Sequence, residues 1–115
     1  MDAAVYNLNL QDFRTLNSKV FTGRTRGKDV RIKANIDNLE PKFENIQIII
    51  PEDVSSINPS FLEEFLENVV TKLGKENFLK KFAFINNGRY KIREDLEEAI
   101  DRILRDDTAL THNFV

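Results

Sequence analysis

No cysteine occurs anywhere in this chain. That excludes disulfides, thiolate metal sites and a cysteine nucleophile. Tryptophan is also missing, and the single histidine, His112, lies close to the C-terminus. No Ser/His/Asp grouping and no metal-ligand spacing accompanies it, so enzymatic activity is not expected. No apolar run approaches the roughly 18 residues that span a bilayer. The opening MDAAVYNLNL lacks a basic stretch followed by an apolar core, so neither a secretion signal nor a membrane partner is expected. A cytoplasmic setting fits these absences. With pI ≈ 5.5 the chain also lacks the strongly basic balance of a nucleic-acid binder, and its arginines are not interleaved with aromatics.

What is present suits one globular domain. The 115 residues are 41% hydrophobic and 31% charged, rich in Ile, Leu, Val and nine Phe. There is no linker, repeat or low-complexity tract, so residues 1–115 read as a single unit, with 106–115 as a flexible tail. The net charge of −2 conceals an uneven spread. Lys19, Arg24, Arg26, Lys28, Arg31 and Lys33 surround only Asp29, whereas 93–107 holds seven acids against three bases. Such a layout suits a solvated surface, a steered partner or self-association.

Periodicity supplies the elements. Val5 to Leu10 alternates apolar and polar as a strand, and Lys19-Val20-Phe21 reads as a short second one. Thr25 to Leu39 stays open on pattern alone: Val30, Ile32, Ala34 and Ile36 alternate as a strand, while Ile32, Ile36 and Leu39 fit a helical stripe that Pro41 would stop; the resemblance given below implies the helix. Four isoleucines within Ile46 to Ile50 predict a strand buried on both faces. Asn58 then suits an N-cap, Pro59 the first helical position and Gly74 the stop. Between them Phe61, Leu62, Phe65, Leu66, Val69, Val70 and Leu73 form one apolar face, with Glu63, Glu64, Glu67 and Lys72 outside. Phe82 to Ile85 forms another strand, Asn86-Asn87-Gly88 a turn, and Lys91 to Arg105 a final helix burying Ile92, Leu96, Ile100, Ile103 and Leu104. The order β-β-α-β-α-β-α predicts an α/β fold with one mixed, mostly parallel four-stranded sheet and about three helices.

In such a sheet the loops after the strands gather on one edge, where ligands bind. That edge would collect Thr22, Gly23, Arg24 and Arg26, the Asn58-Pro59-Ser60 helix mouth, and Asn86 with Arg89. The first and last groups are candidates for holding an anion or a nucleotide, although the glycine-rich run lacks the full phosphate-loop pattern. The helix mouth offers unsatisfied N–H groups and a partial positive charge, which suit a phosphate on Ser60. Ser60 is most simply a first-turn cap whose hydroxyl satisfies a backbone donor; Ser55 and Ser56 are alternative acceptors in the same loop.

A strand, a polar loop and Asn58-Pro59-Ser60-Phe61-Leu62-Glu63-Glu64 opening a helix, with Thr22-Gly23-Arg24 opening the helix before it, resemble the STAS-like domain family. That family is related to the anti-sigma-factor antagonists. The resemblance runs from about Tyr6 to Leu104. It implies a non-enzymatic, cofactor-free regulatory module that binds a protein partner through Asn58, Pro59, Ser60, Phe61, Glu63 and Glu64. In the better-known members that partner is a histidine-kinase-like ATPase that phosphorylates the serine and so weakens the complex. Here Phe61 stands where they carry glycine, and no acid precedes the serine. The alternatives are a constitutive assembly subunit or homo-oligomer without a switch, and a small-ligand or nucleotide sensor.

Overall fold

A computed structural model describes residues 4–16 and 18–112, with side chains as far as 105. Strand β1 (Val5–Asn9) ends in a 3-10 turn, Leu10–Phe13, and β2 (Val20–Phe21) leads into α1 (Arg24–Ala34). A four-residue helix α2 (Ile36–Leu39) follows at once. Then come β3 (Asn45–Ile50), β4 (Ser56–Ile57), α3 (Pro59–Lys81), β5 (Phe82–Asn86) and α4 (Arg93–His112). The α/β class is as the pattern implied. The strands, however, form two ladders instead of one sheet of four: a three-stranded sheet in the order β1-β3-β5 and a two-stranded one, β2-β4. All pairings are parallel. Strand β4 lies inside the stretch that reads as a polar loop, because two residues are too few to show a period.

The helix over 25–39 is confirmed against the strand alternative, but Asn35 divides it. This residue adopts the left-handed conformation (φ 60°, ψ 33°) and its amide closes on the Arg31 and Ile32 carbonyls. Asparagine tolerates that conformation better than most side chains. Val30, Ala34 and Ile36 are buried, whereas Ile32, assigned to the buried stripe, is 64% exposed. The break at Asn35 re-aims the chain, so one stripe cannot be continued across it.

Helix α3 buries Phe61, Leu62, Phe65, Leu66, Val69 and Val70, the face its spacing predicts. It breaks at Gly74, whose φ of 81° is strained for any residue with a Cβ, and then resumes to Lys81. The resumed turn brings Phe78 under the sheet, where it stacks on Phe82 with centroids 4.7 Å apart. Glu40, 3% exposed, joins both halves of α3 from outside: its carboxylate accepts from Lys72 Nζ at 2.6 Å and Lys81 Nζ at 2.7 Å. Helix α4 continues to His112 in its backbone, well beyond Arg105 and into the expected tail; 113–115 lie outside the described residues.

Helix α3 sits between α1 and α4. Ile46, Ile48 and Ile50 of the central strand are essentially inaccessible, while Asn45 is exposed and Gln47 and Ile49 are half-buried. The strand is therefore buried on one face only, not on both. In the opposite face the register aligns Asn7 with Gln47 and Ala83, and Asn9 with Ile49 and Ile85.

Candidate functional site

Strands β2 and β4 set the geometry of the helix mouth. Their parallel pairing places the Asn58 amide 2.8 Å from the Phe21 carbonyl, so Thr22-Gly23 and Asn58-Pro59-Ser60 lie side by side. From there α1 and α3 run alongside each other, close enough that a Cβ on Gly27 would collide with the Phe61 carbonyl. Arg31 fixes the next turn, donating to the Glu64 carbonyl at 2.7 Å and pairing with Glu67 at 3.4 Å.

Asn58 caps α3 completely. Its Oδ1 accepts the Ser60 amide at 2.8 Å and the Ser60 hydroxyl at 2.7 Å. Its backbone carbonyl accepts Phe61 N at 3.0 Å and Leu62 N at 3.2 Å, while Pro59 has no amide to offer. The expectation of unsatisfied donors at this mouth is thus overturned, because one asparagine consumes them all. Ser60 itself is half-buried and Asn58 exposed. Of the alternative acceptors, Ser55 is exposed with its hydroxyl on the Lys19 carbonyl (3.1 Å), and Ser56 is half-buried in β4.

Two of the residues assigned to a partner surface lie inside the protein. Phe61 is 0% exposed and packs edge-on against Phe21, centroids 5.3 Å apart. Glu63 is 5% exposed and meets Arg24 at 3.3 Å and Arg102 at 3.0 Å. The outward stripe fails at Glu63 because α3 has neighbours on two sides, and the acid fills the seam between them. Glu64 is partly covered, 3.7 Å from Arg24. Asn58, Pro59, Ser60 and Glu64 remain as the accessible part of this surface.

The candidate anion cradle is not assembled. Arg24 is committed to Glu63 and Glu64, and Arg26 to Asp29 and the Phe13 carbonyl. Asn86 closes its own turn, donating to the Tyr90 carbonyl and accepting from Gly88 N at 2.9 Å. Thr22 and Arg89 are exposed and Gly23 begins α1 without a side-chain cap. Lys33 is also paired, with Asp29 at 3.2 Å. Much of the basic run thus goes into internal ion pairs, not into a free basic face.

Beyond the strand ends lie two adjoining hollows that share Asp53. One, of about 510 Å³, is lined by Gln11, Arg14, Leu16, Lys19 and Asp53. The other, of about 600 Å³, includes Ser55, Asn87, Arg89 and Tyr90. Arg14 lines the first, gripping Asp53 through two bonds of 2.8 and 3.1 Å and holding the Ser18 carbonyl at 2.6 Å. Hydrogen bonds from Arg14 hold the Asp53 carboxyl below its ordinary range, and Asp53 in turn raises the guanidinium. Tyr90 Oη lies 3.0 Å from the Ile57 carbonyl and 2.6 Å from Asp95 Oδ2, tying the β5 loop to both β4 and α4. Nothing in the sequence singled out Arg14, Asp53 or Tyr90, because the partners that tie them across the fold are 39, 39 and 33 positions away.

Among the described residues no group of three His, Cys, Asp or Glu side chains is placed to hold a metal ion. No described helix is long and apolar enough to cross a membrane. No family model, curated protein or solved structure matches the chain.

Proposed function

We propose that the chain is a STAS-like, non-enzymatic interaction module related to the anti-sigma-factor antagonists. It binds a protein partner through Asn58, Pro59, Ser60 and Glu64, and phosphorylation of Ser60 releases that partner. The partner expected from the resemblance is a histidine-kinase-like ATPase acting in the cytoplasm. The observation that carries the reading is the occupied α3 mouth. Asn58 already takes every first-turn donor of α3, so a phosphate on Ser60 finds no backbone N–H of that helix to absorb it. Its charge of about −1.5 to −2 would displace the Ser60–Asn58 hydrogen bond and stand near Glu64, facing outward onto whatever is docked there.

A pull-down from native cells with wild type, Ser60→Ala and Ser60→Asp as baits tests this. Retention of one ATPase by wild type and Ser60→Ala, and its loss from Ser60→Asp, is the expected result. Equal retention by all three makes Ser60 a helix cap and nothing more. The second reading, a constitutive assembly subunit, is favoured by a separate observation, the uncovered sheet face.

A further inference from the structure

The three-stranded sheet leaves one face open, and that face carries no charge. Asn7, Asn9, Asn45 and Gln47 line it together with Ile49 and Ile85, in a chain whose residues are 31% charged. Val5 at its margin is 47% exposed, and Gln47 on the central strand is only half-buried. All-parallel sheets occur almost entirely with both faces covered. On this one Val5, Asn7, Asn45 and Ala83 are exposed, and Asn9, Gln47, Ile49 and Ile85 are half-buried.

We propose that a second copy of the chain covers it, in an isologous sheet-on-sheet dimer. Two properties select self over a foreign partner. Charged groups near a two-fold axis meet their like, and this face has none to repel. An amide carries donor and acceptor in one group, so Asn and Gln complement themselves, whereas a carboxylate or an ammonium does not. A charged partner, by contrast, would find amides here but no counter-charge to offset its lost hydration. Ile49 and Ile85 add apolar area, and the two faces would stack about 10 Å apart. Three strands, two of five residues and one of six, span only some 15 by 20 Å. That is well short of the roughly 800 Å² per partner in a standard interface, so the dimer is a weak one. The inference stands apart from the Ser60 reading, since the face and the helix mouth share no residue.

Sedimentation equilibrium of the intact chain tests it. Wild type should pass from monomer to dimer with a midpoint on the order of 10–100 μM, as a small interface allows. Added salt should leave that midpoint unchanged, because no ion pair is involved. Gln47→Lys and, separately, Ala83→Glu each place like charges across the axis and should weaken association at least about tenfold, a difference of roughly 1.4 kcal/mol. Circular dichroism and the urea midpoint confirm that each variant is folded. The absence of cysteine permits a direct check: two copies of Gln47→Cys should be joined by a bis-maleimide linker of about 10 Å, the spacing of stacked sheets, while those of Ile32→Cys on α1 should not. A monomer at every concentration overturns the proposal and leaves the face to solvent or another protein. So does a dimer indifferent to both charged variants, or equal cross-linking from both cysteine positions.

Discussion

Ser60 donates its hydroxyl proton to Asn58 Oδ1 at 2.7 Å, and the same oxygen accepts the Ser60 amide at 2.8 Å. The cap is therefore Asn58, and Ser60 hangs from it. Asn58→Ala should cost about 1 kcal/mol of folding stability, the usual loss of an N-cap. Ser60→Ala keeps the capped amide and should cost about 0.5 kcal/mol or less. Urea unfolding of the two variants ranks them, and a larger loss from Ser60→Ala would reverse the assignment of the cap.

The Glu40 carboxyl makes stability fall in acid. Burial alone would push it up, but hydrogen bonds from Lys72 and Lys81 outweigh that and hold it below its ordinary value of 4.5. A depressed folded value means its contribution is full above the unfolded value and is lost as pH falls through the folded one. Wild type should lose stability progressively below pH 4.5, and Glu40→Gln should be less stable at neutral pH with a shallower acid slope. Urea midpoints at neutral and acid pH read both effects. Equal slopes would show that the two lysines do not act on this group.

Tyr90 should resist ionisation. Burial first, and then its bond to Asp95, raise the phenol above its ordinary value of 10. Its contribution is therefore complete below pH 10 and declines as alkali takes the phenol through its folded value. The chain has two tyrosines, so in Tyr6→Phe the ultraviolet phenolate signal belongs to Tyr90 alone. That signal should stay flat through pH 10 and rise with unfolding. Tyr90→Phe should cost about 1 kcal/mol by removing the hydrogen bond to Ile57 or Asp95.

Gly27 and Gly88 are required for space. A Cβ at Gly27 would strike the Phe61 carbonyl and come within 3.0 Å of Glu64 Cβ; one at Gly88 would strike the Glu52 carbonyl. Both obstacles are backbone, so Gly27→Ala and Gly88→Ala should each cost about 1–3 kcal/mol, the range of overpacking. Thermal unfolding measures it. Gly27→Ala carries the sharper expectation, because alanine normally favours a helix interior by 0.5–1 kcal/mol.

Much of the scaffold was legible because it is local. Spacing along α3 gave the buried face from Phe61 to Val70, and Asn58-Pro59 and Gly74 punctuated it through the chemistry of a capping amide, a fixed φ and a missing Cβ. The alternation at Val30 to Ile36 stayed ambiguous until tertiary packing chose the helix and Asn35 divided it. At the candidate site, Ser60 could be placed in the first turn from sequence, but the state of its donors could not. That depended on where the Asn58 side chain turned.

Local pattern was enough for the class: a cysteine-free α/β chain whose apolar periods prescribe strands and amphipathic helices, since those periods depend only on neighbours two to four residues apart. Tertiary structure decided what contacts across distance decide. It split the strands into two ladders and left one sheet face open. It drew Phe61 and Glu63 inward, and it used Arg24 and Arg26 in internal pairs. Exposure and charge pairing depend on which elements meet, and a one-dimensional pattern does not carry that information.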